Sequence, residues 1–153
     1  MTIAENASAP VFSLPATTGT NISLAALRGK IVVLYFYPKD DTPGCTKEAC
    51  NFRDGIKDLE KEGAVVLGVS PDDVVRHEKF QQKYHLPFPL LADADHAVAE
   101  KYGVWKEKSM YGKKYMGIER TTFIINAEGR ITKIFRKVKV ENHLQEVLTA
   151  LQS

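Results

Sequence analysis

The sequence predicts an α/β fold, a central mixed β-sheet flanked by helices, with an N-terminal β-hairpin extension. Three observations lead there. Residues 31–37 and 64–70 are continuous apolar runs rich in β-branched and aromatic side chains, the pattern of strands buried on both faces. The segment between them, residues 43–62, has helical periodicity, so strand and helix alternate. Residues 121–126 and 131–136, joined by Ala127-Glu128-Gly129-Arg130, read as a hairpin, which makes the sheet mixed.

The remaining elements follow in order. Residues 11–17 read as a short strand, and Thr18-Gly19-Thr20-Asn21 as a turn into a second one at 22–24. Helices are predicted at 72–84, 95–102 and 141–151, the last amphipathic with Leu144, Val147, Leu148 and Leu151 on the face that packs on the core. Residues 103–119 read as a loop, long for a compact fold and of the length that often carries function. No repeat or linker interrupts the chain, which reads as one domain over residues 1–153.

Composition narrows the function classes. The 153 residues are 44% hydrophobic and 26% charged, enough apolar surface for a core and too much for a disordered chain. Lys and Arg total 21 against 19 Asp and Glu, too even a balance for nucleic acid or an anionic membrane to be the main partner. No apolar run is long enough to cross a bilayer. The N-terminus MTIAENASAP has no secretory character, so the expectation is a cytoplasmic protein. Asn6-Ala7-Ser8 and Asn21-Ile22-Ser23 then carry no glycan. Two cysteines are too few for a disulfide scaffold, and in the cytosol both would be reduced.

The informative stretch is Pro38-Lys39-Asp40-Asp41-Thr42-Pro43-Gly44-Cys45-Thr46-Lys47-Glu48-Ala49-Cys50. Thr42 is a favoured N-cap residue, and Pro43 suits the first helical position because its missing N–H would go unpaired anyway. Cys45 then lies in the first turn, among unpaired N–H groups at the positive end of the helix dipole. A thiol there has its thiolate favoured, at the carboxyl end of a strand where α/β sheets build their sites. At 100° per residue, Ala49, Phe52, Ile56 and Leu59 fall within about 40° of Cys45, which joins the buried stripe. Cys50 lies roughly 140° away. In an intact helix the two Cα atoms are about 8.6 Å apart, against the limit of about 7 Å for a disulfide. A Cys45–Cys50 bond therefore requires the helix to unwind, and Gly55 eases local opening by about 1 kcal/mol.

Pro38-x-x-x-Thr42-x-x-Cys45 resembles the active-site signature of the peroxiredoxins, and Cys50 resembles the resolving cysteine of their Q-type (bacterioferritin comigratory protein) group. The likeness extends to Val11-Phe12-Ser13-Leu14-Pro15, Tyr35-Phe36-Tyr37-Pro38, Gly68-Val69-Ser70, Tyr102-Gly103-Val104-Trp105 and the run from Gly117 through Arg120 to Ile125. It implies a thioredoxin-like fold and thiol-specific reduction of hydrogen peroxide and organic hydroperoxides, with no metal and no cofactor. By that resemblance Cys45 is the peroxidatic cysteine, which becomes a sulfenic acid, and Cys50 condenses with it to a disulfide that thioredoxin or a similar dithiol protein reduces. Thr42 hydrogen-bonds in the pocket, Pro38 belongs to the signature, and Pro43 shields the sulfenate. Arg120 contacts thiolate and peroxide, and Glu48 orients Arg120. The group resemblance implies a monomer.

A reactive thiol alone does not suffice. A free thiol is already about 3% ionised at pH 7, so complete ionisation gains only about thirtyfold. Part of that is lost because nucleophilicity falls with pKa. Enzymes supply about 10⁶-fold or more, so the rest must come from polarising the O–O bond and stabilising the departing oxygen. Arg120, the Thr42 hydroxyl and the first-turn N–H groups are the donors available.

Other features point to plainer roles. His77, His85, His96 and His143 lack metal-ligand spacing and read as surface or helix-end residues. Trp105-Lys106-Glu107-Lys108 and Tyr111-Gly112-Lys113-Lys114-Tyr115 interleave bases with aromatics, but read as a solvated loop rather than a nucleic-acid site. Two other uses of the cysteine pair are a non-enzymatic redox switch and thiol–disulfide exchange; the C-x₄-C spacing weakens the second.

Overall fold

The computed structural model describes residues 3–153. Strands β1 (Ser13–Pro15) and β2 (Asn21–Ser23) form an antiparallel pair, and a 3₁₀ turn at Ala25–Leu27 leads to β3 (Ile31–Phe36). Then come α1 (Pro43–Asp54), α2 (Ile56–Lys61), β4 (Ala64–Ser70), α3 (Val74–Tyr84), β5 (Leu90–Ala92) and α4 (Ala97–Lys101). The chain closes with β6 (Trp105–Met110), β7 (Lys113–Ile118), β8 (Thr121–Ile125), β9 (Ile131–Phe135) and α5 (His143–Gln152).

The main sheet has the order β5-β4-β3-β8-β9. Strand β3 is central, parallel to β4 and antiparallel to β8, so the predicted mixed sheet is present. Its continuous apolar run serves two cores, because successive side chains point to opposite faces. Val32, Leu34 and Phe36 pack with Leu67, Val69, Tyr102 and Phe123 on one face. On the other, Val33, Tyr35 and Tyr37 pack with Cys45, Ala49, Phe52, Leu59 and Phe80. Cys45 thus belongs to the apolar stripe of its helix.

Several elements differ from the sequence reading. The helix predicted over 43–62 is two, α1 and α2, divided at Gly55. A Cβ on Gly55 would lie 2.6 Å from Leu144 Cδ2, so any larger residue there would have to displace the Leu144 side chain of α5. Residues 103–119 are not a loop: β6 and β7 form an antiparallel hairpin apart from the main sheet. Its turn places Tyr111 at φ 51° and Gly112 at φ 79°, the left-handed pair a two-residue hairpin turn requires. Strand β5, absent from the sequence reading, adds the sheet edge beside β4. Helix α3 starts at Val74, where the Asp73 side chain accepts from Arg76 N–H as a cap. Two histidines are buried rather than at the surface: His77 lies inside α3, whereas His143, though buried, opens α5 at a helix end. His85 and His96 do lie at helix ends.

Candidate active site

The site forms where β3 leaves the sheet. The register pairs Phe36, the last residue of β3, with Thr121, the first of β8. That single pairing brings Arg120 beside Cys45 in the first turn of α1, 75 residues away in sequence. Arg120 is fixed there from its backbone too, its carbonyl accepting from Val138 N–H at 3.0 Å.

Thr42 occupies the N-cap position in extended conformation, with Pro43 at N1. The first helical bond runs from Thr46 N–H to Thr42 O at 2.8 Å, which leaves the N–H groups of Gly44 and Cys45 without a helical acceptor. One detail differs from the sequence reading. The Thr42 hydroxyl does not cap α1 but donates to the Lys39 carbonyl at 2.9 Å. Its hydrogen is committed to the loop, and its oxygen remains an acceptor.

Arg120 spans the centre of the site. Its Nη1 donates to Glu48 Oε1 at 2.6 Å and its Nη2 to Cys45 Sγ at 3.3 Å. Cys45 and Glu48 are three residues apart on α1, neighbours on one helix face, so the planar fork of one guanidinium reaches both. Burial works against the charge on Arg120, but Glu48 and Cys45 outweigh it and hold its pKa above the ordinary value. Burial pushes the Glu48 carboxyl up to about 7, against the pull of Arg120. Glu48 Oε2 is buried without a partner.

A second network lies under the loop between β3 and α1. The Tyr37 hydroxyl donates to Asp40 Oδ1, and Asp40 Oδ2 lies 2.6 Å from His77 Nδ1. His77 Nε2 is 2.8 Å from the Leu91 carbonyl, which only accepts, so Nε2 carries a hydrogen. Asp40 N–H donates to Asp72 Oδ2, which also receives the Ser70 hydroxyl. Asp40, Asp72 and His77 thus come together, but hydrogen bonds within the protein already consume their ligand atoms, and the cluster fits a structural brace rather than a metal centre. Sequence reasoning missed it, because its members are up to 37 residues apart.

Cys50 lies on the same helix, half-buried, and both thiols are free. Pro38 follows Tyr37 at the mouth of the loop, and Pro43 opens the helix beside it. A groove of about 780 Å³ is lined by Ile31, Ile124, Phe135, Gln145 and Leu151 and by neither cysteine. No helix among the described residues is long and apolar enough to cross a membrane.

The site thus joins a buried thiol in the first turn of a helix to an arginine that is also bonded to a buried carboxyl group, at the end of the central strand of a mixed sheet. Residues 6–134 match the AhpC/TSA family. The chain is 51% identical to peroxiredoxin Bcp of Bacillus subtilis, over 99% of this chain and 97% of that one. It superposes on the bacterioferritin comigratory protein of Xanthomonas campestris, solved for its alkyl peroxide reduction activity, with TM-score 0.88 and 45% identity, covering 92% of this chain and 90% of that one. With PrxQ of Xylella fastidiosa the TM-score is 0.93 at 36% identity, covering 99% and 97%. The chain belongs to the AhpC/TSA family and, within it, to the Bcp (Q-type) peroxiredoxins, oxidoreductases that reduce peroxides with a thiol.

Proposed function

We propose that Cys45 is the peroxidatic cysteine and Cys50 the resolving one, in an enzyme that reduces hydrogen peroxide and alkyl hydroperoxides and is itself reduced by thioredoxin. The observation that carries this reading is the fork of Arg120 between Glu48 and Cys45. The Cys45 thiolate attacks the terminal peroxide oxygen; an S–O bond forms, the O–O bond breaks, and the alkoxide leaves and takes a proton. Arg120 and the free N–H groups of Gly44 and Cys45 are the donors for the oxygen on which charge develops. The Thr42 oxygen, its own hydrogen given to Lys39, accepts from the peroxide O–H and so orients it. Glu48 holds the guanidinium in place. Pro43, at the first position of α1, shields the sulfenate, as the resemblance to the peroxiredoxin signature implies for it, and Pro38 belongs to the same signature.

The Cys50 thiolate then attacks the sulfenic sulfur, an S–S bond forms, and hydroxide departs as water. A dithiol protein returns both thiols by exchange. In the helix the Cα atoms stand about 8.6 Å apart, so this step needs the first turns of α1 to open. We assign the enzyme to the cytosol, acting as a monomeric single domain without metal or cofactor.

Coupled turnover with NADPH, thioredoxin reductase and thioredoxin tests the reading. Sustained oxidation of NADPH with cumene hydroperoxide, abolished in Cys45→Ser, is the expected result. Turnover undiminished in Cys45→Ser would overturn it.

A further inference from the structure

The segment that carries both cysteines is held at its two ends by one residue. Upstream, the Tyr84 hydroxyl donates to Asp41 Oδ1 at 2.9 Å, and Lys83 Nζ adds a 2.7 Å bond to Asp41 Oδ2. Downstream, Arg53 Nη1 donates to the Tyr84 carbonyl at 2.7 Å. Tyr84 ends α3, and His85 behind it is left-handed at φ 54°. The Tyr84 carbonyl is therefore among the terminal acceptors that a helix leaves unpaired, at the end where its dipole favours a cation. The Tyr84 ring packs edge-on against Phe80 with centroids 5.4 Å apart, so both bonds start from a fixed point.

Cys45 and Cys50 lie between these two attachments. Closing their disulfide requires the intervening turns to open, and each attachment opposes that motion. Asp41 stands at φ 58°, a conformation rare for a residue other than glycine, with its carboxylate held by both Tyr84 and Lys83. We infer that Tyr84 is a positioning residue that staples the cysteine segment at both ends, holding Cys45 beside Arg120 for the peroxide step and setting how fast the segment unwinds to bring Cys50 to Cys45. The inference rests on the assignment of Cys50 as the resolving cysteine. It changes no bond in the reaction, only the frequency with which the sulfurs meet.

The test uses Tyr84→Phe, which removes the hydroxyl but keeps ring and carbonyl, and Arg53→Met, which removes the donor to that carbonyl, with Arg53→Lys as rescue. Reduced protein is mixed with one equivalent of hydrogen peroxide and quenched at intervals, and sulfenic acid and disulfide are resolved by intact mass. Amide hydrogen exchange is followed across α1. In Tyr84→Phe and Arg53→Met the disulfide forms about three- to tenfold faster, the factor one lost hydrogen bond brings. The peroxide step becomes no faster, protection falls across α1 while α3 keeps its own, and Arg53→Lys returns toward wild type. A disulfide rate unchanged or lowered, or both steps slowing together as in general destabilisation, overturns the inference. Absence of a Cys45–Cys50 disulfide in the wild type would instead overturn the Cys50 assignment. The exchange data then decide the staple alone, and unchanged protection in both variants overturns it.

Discussion

A side chain on Gly44 would press on Arg120: a Cβ built there would lie 3.2 Å from Arg120 Nη2, so the guanidinium would have to give by a few tenths of an ångström. The guanidinium cannot swing aside at no cost, since it is bonded to Glu48 and Cys45. Gly44 sits in the first turn of α1, where alanine is the better helix former by up to about 1 kcal/mol. Gly44→Ala is therefore expected to leave thermal stability unchanged or slightly higher while slowing the peroxide reaction about tenfold or more. Melting curves and single-turnover rates on the same preparation check it. A loss of stability in step with activity would contradict the account.

Arg120→Ala separates thiol ionisation from transition-state stabilisation. Ionising a free thiol completely is worth only about thirtyfold at pH 7. If Arg120 also stabilises the departing oxygen, its removal slows the peroxide step by more than that. The deficit also persists in alkaline solution, where a thiol is ionised without help. Second-order rate constants from neutral to alkaline pH give the answer, and recovery of the wild-type rate at high pH would assign Arg120 to ionisation alone.

Glu48 gives the stability a pH dependence of known sign. Burial raises its carboxyl to about 7 in the folded protein, against 4.5 for the free group. Between those values the folded state binds the proton more tightly than the unfolded state, so this contribution is complete below about pH 4.5 and is lost as pH rises through 7. Glu48→Gln keeps an acceptor for Arg120 and removes the titration. Urea midpoints measured from pH 5 to 7.5 are expected to fall with pH more steeply in the wild type than in Glu48→Gln, by on the order of 2 kcal/mol across the interval. Parallel curves would exclude the buried carboxyl as the source.

Tyr35 carries a buried hydroxyl with no hydrogen-bond partner, on a ring stacked on Tyr37 and tilted against Phe52. Burial places its pKa well above the ordinary value, so the group stays neutral. An unpaired buried hydroxyl costs about 1–3 kcal/mol, and Tyr35→Phe removes it while keeping the ring. The variant is expected to be as stable as the wild type or more so, with peroxide kinetics unchanged. A lower urea midpoint would mean the hydroxyl is paired in solution.

How far the sequence carried depended on whether a signal was local. The run that became β3, the Thr42-Pro43 start of α1 and the stripe through Cys45, Ala49, Phe52 and Leu59 are short-range patterns, and the structure bears them out. The β6–β7 hairpin was hidden because most of its residues on both faces are exposed, so Lys, Glu and Ser replace the apolar alternation that marks a half-buried strand. Tyr111-Gly112 was the one signal available. Strand β5 is three residues long, too short for a period. His77 read as a surface residue because its partners, Asp40 and the Leu91 carbonyl, come from other elements. Arg120 was named through resemblance alone. Its physical reason is the Phe36–Thr121 register, which only the folded sheet contains.

If Cys45 takes the peroxide and Cys50 resolves the product, rapid mixing of reduced protein with hydrogen peroxide separates the two steps. Wild type, Cys45→Ser and Cys50→Ser are compared by Trp105 fluorescence, with the products identified by mass. A fast first phase is expected in wild type and Cys50→Ser and not in Cys45→Ser, followed by a second phase, disulfide formation, that Cys50→Ser lacks. Oxidation of wild type no faster than a free thiol, or a disulfide phase surviving in Cys50→Ser, would contradict these assignments.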